Sequence, residues 1–92
     1  MTEKSVVVTG ASGGIGEEFS RLFARDGYTL LLVARSGDKL KKLADELTAT
    51  HGVPVATCAL DLAATDAPKR VFEAAQQLNQ PIEILVNNAG IG

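Results

Sequence analysis

Thr9-Gly10-Ala11-Ser12-Gly13-Gly14-Ile15-Gly16 lies between the apolar run Ser5-Val6-Val7-Val8 and Glu17-Glu18-Phe19-Ser20-Arg21-Leu22-Phe23, whose apolar residues recur at helical spacing. The order reads as a strand that enters a glycine turn and leaves it as a helix. A helix start carries backbone N–H groups without intrahelical partners and the positive end of the helix dipole, so a phosphate placed there meets several donors and a favourable field. Gly10 is expected to take backbone angles that a side chain forbids. Gly13 and Gly14 leave out the Cβ atoms that would block a diphosphate, and Gly16 lets the helix pack closely on the strand.

Working outward, strand signals fall at Ser5–Thr9, Thr29–Ala34, 53–60 and 82–86, mostly as unbroken Val, Ile and Leu runs. Runs without polar alternation suit parallel strands covered on both faces. Three helical patterns alternate with them. The first, 14–26, puts Ile15, Phe19, Leu22 and Phe23 on one face, sets Glu17 one turn before Arg21, and has Gly27 as its stop. The second, 37–50, buries Leu40, Leu43, Ala44 and Leu47 behind Ser36 as N-cap and closes at His51-Gly52, where a cationic side chain suits the helix end. The third, 67–79, starts from Thr65 or Asp66 with Pro68 in its first turn, turns Val71, Phe72, Ala75 and Leu78 inward, and breaks at Asn79-Gln80-Pro81.

Strict alternation with short connections predicts an α/β fold, a Rossmann-like parallel sheet built as β-α-β-α-β-α-β with right-handed crossovers and strand order 3-2-1-4. In that order the sheet reverses direction between the first and fourth strands and opens a crevice at their C-terminal ends. The glycine turn follows the first strand and Asn87-Asn88-Ala89-Gly90 follows the fourth, so both land at one crevice.

The chain of 92 residues fits a single domain with a modest core. A net charge of -2 with scattered basic residues gives no nucleic-acid or anionic-membrane surface. One cysteine, Cys58, excludes an internal disulfide and has no metal-ligand spacing with the single His51; within its apolar run it reads as a small buried hydrophobe. Met1-Thr2-Glu3-Lys4 lacks the apolar core of a signal peptide and no run approaches a membrane span, so the expected location is the cytoplasm.

The turn is spelled G-x-x-x-G-x-G, not G-x-G-x-x-G or the P-loop pattern. Together, T-G-x-x-x-G-x-G at Thr9–Gly16 and N-N-A-G at 87–90 make the chain resemble the short-chain dehydrogenase/reductase family, whose two motifs are both matched in full. The resemblance implies an oxidoreductase that moves hydride between a nicotinamide cofactor and a carbonyl or alcohol. It places Gly10, Gly13, Gly14, Gly16 and the Ile15 N–H at the cofactor diphosphate, Ser12 at the adenosine-side ribose or phosphate, and Asn88, Ala89 and Gly90 at the adenosine ribose. Asp61 and Leu62 would meet the adenine, although Asp61 also reads as a turn or cap residue and Asn87 as a structural amide.

At the tip of the second strand, about 20 residues beyond the glycine turn, a carboxylate would hold the ribose 2′-hydroxyl of NAD. Val33-Ala34-Arg35-Ser36 stands there instead, with no carboxylate to repel a 2′-phosphate and a guanidinium fork able to grip one. NADP is therefore favoured over NAD, resting on Arg35 and Ser36, because Gly13 fills the place before the middle glycine where the family often has a second basic residue. A plain surface charge is the other reading of Arg35.

The family's acid/base set, a Ser and a Tyr-x-x-x-Lys pair, is not matched: the single tyrosine, Tyr28, is followed four places on by Leu32. The resemblance covers roughly the first third of a typical ~250-residue member. Residues 1–92 are thus expected to be the N-terminal part of a dinucleotide-binding domain, inactive alone, with catalysis and the small carbonyl or alcohol substrate belonging to a longer chain. The alternative is a short non-catalytic dinucleotide-binding or interaction protein, and a third reading is a damaged gene. An open strand edge and an uncovered apolar face also predict self-association.

Overall fold

Val6, Val7 and Val8 are buried on both sides of the sheet, and this follows from what the neighbouring helices bring to each face. The computed structural model describes residues 4–11, 13–61, 64–78 and 82–87. The elements run β1 (Ser5–Thr9), α1 (Gly14–Arg25), β2 (Thr29–Ala34), α2 (Gly37–His51), β3 (Val55–Ala59), α3 (Ala67–Gln76) and β4 (Ile82–Asn87). The sheet order is β3-β2-β1-β4 and every pairing is parallel.

Side chains of a strand alternate between faces, and the core divides accordingly. Val6, Val8, Leu30 and Leu32 pack under α1 and α2, together with Leu40, Leu43, Ala44 and Leu47. Val7, Leu31 and Val33 pack on the opposite face with Leu60 and Ala67, under Val71, Ala74, Ala75 and Leu78. α1 and α2 thus share one face and α3 takes the other, as right-handed crossovers require.

The helix ends follow their sequence signals. Ser36 accepts the Lys39 N–H at the start of α2, while Gly52 closes it at φ +70° with its N–H on the Thr48 carbonyl. Gly27 follows α1 at φ +88°. At α3 the cap is Asp66, whose side chain makes no capping bond; its carboxylate lies 3.9 Å from Nε of Arg70, one turn on.

Five expectations are corrected. The inward face of α1 is Gly16, Ser20 and Ala24, while Ile15, Phe19 and Leu22 stay 53%, 39% and 43% exposed. Small residues at four-residue spacing bring the helix axis close to the sheet, and a face of Phe and Leu would hold it away. On α3, Phe72 is 63% exposed because the packed stripe runs through Ala67, Val71, Ala74, Ala75 and Leu78, so position 74 faces inward and 72 does not. That helix ends at Gln76, short of the expected 79, and residues 79–81 lie outside the described ones. β3 covers Val55–Ala59 only: Val53 and Leu60 are buried by packing beyond the strand ends, and Cys58 on this one-sided strand is half-buried.

Among the described residues no helix is long and apolar enough to cross a membrane.

Candidate functional site

The register brings the two motif-bearing strands to a common level: Thr9 pairs with Val33 on one side and with Asn87 on the other. The Thr9 hydroxyl donates to the Val86 carbonyl at 3.2 Å, a link across 77 positions that joins the C-terminal ends of β1 and β4. The floor of the crevice is therefore held by a side chain as well as by the backbone ladder.

The glycine turn closes on itself through the Gly13 N–H, which donates to the Gly10 carbonyl at 3.1 Å, and Gly10 sits at φ +67°, a region open to glycine. Ala11, fully buried, donates its N–H to the Val33 carbonyl at 3.1 Å and pins the turn to the end of β2. A Cβ on Gly16 would stand 2.2 Å from the Gly10 carbonyl oxygen and 2.9 Å from Cα of Ala11. Gly16 thus packs the helix on the turn itself, a closer contact than the helix-to-strand one expected from sequence. Ser20, buried one turn later, donates its hydroxyl to the Gly16 carbonyl at 2.7 Å.

Gly14 behaves in the opposite way: a Cβ there would meet no described atom within 4 Å. The N-cap Gly13 carries no side chain to occupy the helix start, so among the described residues the N–H groups of Gly14, Ile15 and Gly16 have no side-chain cap. The Glu17 N–H begins the helical ladder on the Gly13 carbonyl at 2.8 Å. Ile15 is exposed at this end. What results is a row of backbone donors at the positive end of a twelve-residue helix, beside a Cβ position at Gly14 that is clear of every described atom.

Glu17 would compete with an anion for that field, but its carboxylate is drawn away by Arg21 at 2.6 Å, which also reaches Glu46 of α2 at 2.7 Å. Hydrogen bonds to Glu17 and then Glu46 hold the Arg21 guanidinium above its ordinary range. The bridge spans a groove between α1 and α2 lined also by Lys39, Lys42 and Leu43.

Arg35 follows the last residue of β2, two places after the carbonyl that anchors the turn; it is exposed and makes no ion pair with a described residue. Asp61 is brought to the same edge, because the Leu60 N–H donates to the Ala34 carbonyl at 2.8 Å. Its own carbonyl accepts the Ala64 N–H at 3.0 Å, so the backbone of Asp61 opens a turn while its side chain is exposed. The structure therefore brings the turn glycines, Ile15, Arg35 and Asp61 to one end of the sheet. Ser12, Leu62, Asn88, Ala89 and Gly90 lie outside the described residues. Tyr28 stands at the other end of β2, where its ring meets Phe23 edge-on at 5.2 Å and the Lys4 ammonium lies 5.9 Å away.

Sequence reasoning missed the roles of the Thr9 hydroxyl, the Ala11 N–H and Ser20. A hydroxyl residue closing a buried apolar strand was the available signal for Thr9; the other two depend on contacts that local spacing does not carry.

The family model described as short chain dehydrogenase matches residues 4–92. A very-long-chain 3-oxoacyl-CoA reductase of Aspergillus clavatus is 44% identical over 86 residues, covering 91% of this chain and 24% of that protein. The very-long-chain 3-oxoacyl-CoA reductase-A of Danio rerio is 39% identical over 88 residues, covering 96% of this chain and 27% of its own. Among solved structures, L-sorbose reductase from Gluconobacter frateurii, complexed with NADPH and L-sorbose, superposes with a TM-score of 0.91 at 38% identity over 99% of this chain and 35% of its own. An alcohol dehydrogenase from the archaeon Thermococcus sibiricus, complexed with 5-hydroxy-NADP, gives 0.85 at 38% identity, covering 90% and 35%. The chain thus spans about a quarter of the length of the curated relatives it matches.

Proposed function

Because the chain belongs to the short-chain dehydrogenase family, we propose that its crevice binds NADP in preference to NAD, as the cofactor-holding N-terminal part of an oxidoreductase that interconverts a carbonyl and an alcohol. The observation that carries this reading is the helix start: N–H groups that the N-cap Gly13 leaves without a side-chain cap, next to a Gly14 whose Cβ position is clear of every described atom. A dinucleotide diphosphate fits that donor set, and a bulkier residue at 14 would fill its place without touching the protein.

In this reading the Gly14, Ile15 and Gly16 N–H groups hold the diphosphate, and Gly10 and Gly13 shape the turn. Ser12 and the stretch Asn88, Ala89 and Gly90 meet the adenosine-side ribose, and Asp61 with Leu62 meet the adenine. Arg35 grips the 2′-phosphate with two parallel donors, which supplies the preference for NADP. Solved relatives complexed with NADPH and with 5-hydroxy-NADP support the same cofactor class. When bound, the nicotinamide supplies or accepts the hydride. This chain's own part is to position that cofactor; Tyr28, at the far end of β2, is no acid/base group for the crevice. The proton-transferring groups and the substrate pocket belong, in this proposal, to further polypeptide of a longer protein.

Titration of the wild-type chain and of Arg35→Ala with NADPH and with NADH tests the reading. Charge-assisted bonds worth ~1.5–3 kcal/mol correspond to a loss of about tenfold or more in NADPH affinity with NADH binding unchanged. Equal losses for the two cofactors would remove Arg35 from the site.

A further inference from the structure

Resting on the cofactor reading above, we infer that Arg21 is a positioning residue of the diphosphate site: it holds the Glu17 carboxylate along α1 and so keeps the chain's own anion off the helix-start amides.

Glu17 is the acidic residue of the first turn of α1 and follows Gly14 by three places. Residues three apart share a helix face, and helical side chains lean toward the N-terminus. Three places is also the separation over which the glutamate of a capping box folds back onto a backbone N–H, here set one residue further into the helix. The N–H of Gly14 has no intrahelical acceptor and lies at the positive end of the dipole, so both the bond and the field draw a carboxylate there. Left to itself, Glu17 would settle on the donor that a diphosphate needs.

The structure turns it the other way. Oε1 of Glu17 lies 2.6 Å from Nη2 of Arg21, one turn further along the helix. The same nitrogen reaches Oε2 of Glu46 on α2 at 2.7 Å. A lone pair at this spacing on an exposed helix is worth little, because two long side chains must be ordered to make it. Here the guanidinium is held from two helices at once, so less freedom remains to be lost when Glu17 joins it.

Charge alone and position make different demands on variants. Glu17, Arg21 and Glu46 together carry one net negative charge. Arg21→Met raises this to two, and adding either Glu17→Ala or Glu46→Ala returns it to one. Only Glu17→Ala also removes the carboxylate that can reach Gly14.

The test is NADPH titration at low salt, with circular dichroism to confirm folding and amide hydrogen exchange of Gly14 in the cofactor-free chain. Arg21→Met is expected to lose about threefold in affinity, the effect of one charge at a helix start, and to slow exchange at Gly14. Arg21→Met/Glu17→Ala regains wild-type affinity and fast exchange, Arg21→Met/Glu46→Ala stays weak and slow, and Arg21→Lys, which keeps the pair with Glu17, stays near wild type. Arg21→Met with unchanged affinity or unchanged Gly14 exchange overturns the inference, as does equal recovery in the two double variants. A wild-type chain that binds no NADPH is instead the failure of the cofactor reading, and the exchange rates then still show whether Arg21 restrains Glu17.

Discussion

Gly14 and Gly16, two residues apart in one motif, should respond to substitution in opposite ways. A Cβ at position 16 would lie 2.2 Å from the Gly10 oxygen and 2.9 Å from two further backbone atoms, none of them the end of a flexible side chain. Restoring ordinary contact means moving α1 away from the turn by ~1 Å, an overpacking that costs about 1–3 kcal/mol. The gain in helix propensity of Ala over Gly returns up to ~1 kcal/mol, leaving Gly16→Ala less stable by about 1–2 kcal/mol. For a domain of this size that lowers Tm by roughly 5–15 °C. Gly14→Val meets no described atom within 4 Å of its Cβ, so its stability should stay within ~1 kcal/mol of wild type while NADPH affinity falls at least tenfold. Urea unfolding followed by circular dichroism, with NADPH titration of each folded variant, separates the two effects. A Gly16→Ala chain as stable as wild type would show that the turn does not need the close approach, and a Gly14→Val chain that binds normally would move the phosphates elsewhere.

Three further outcomes follow from the same geometry. Thr9→Val deletes the hydroxyl bond to Val86 and should cost about 1 kcal/mol in urea unfolding, while Thr9→Ser keeps it; equal losses would deny the bond a role. Ser36→Ala removes the cap of α2, whose bond is long at 3.4 Å, and should lower stability by ~0.5–1 kcal/mol in the same assay, with no change marking the cap as idle. Glu46→Gln unlinks α1 from α2 at a half-exposed pair, so its effect should stay below ~1 kcal/mol at low salt and vanish in about 1 M salt; a salt-independent loss would point to packing instead of charge.

The parts of the fold that were legible in the sequence are those where one physical demand dominates. β1 and β2 sit at the expected bounds because burial on both faces admits little besides Val and Leu. The same holds for α2, whose apolar stripe, cap and terminal glycine agree with one another. α1 misled because hydrophobicity and proximity disagree there: Phe19 and Leu22 are the more apolar, yet only Gly16, Ser20 and Ala24 are small enough to sit on the turn and sheet. On α3, Phe72 attracted the inward reading that the helical repeat assigns to Ala74. The glycine turn was readable because backbone conformation restricts residue type at Gly10 and Gly16. Thr9 was legible only in part: a hydroxyl residue closing an apolar strand marks the donor, but nothing local announces its acceptor 77 positions away.

Most directly, the central claim is tested by recording backbone amide shifts of the ¹⁵N-labelled chain during addition of NADPH. The account predicts that the Gly13, Gly14, Ile15 and Gly16 amides move together with saturable amplitude, that the Arg35 side-chain resonances follow, and that NADH moves the first group but not Arg35. Shifts confined to the α1–α2 groove around Lys39 and Lys42, or no saturable change at the helix start, would contradict it.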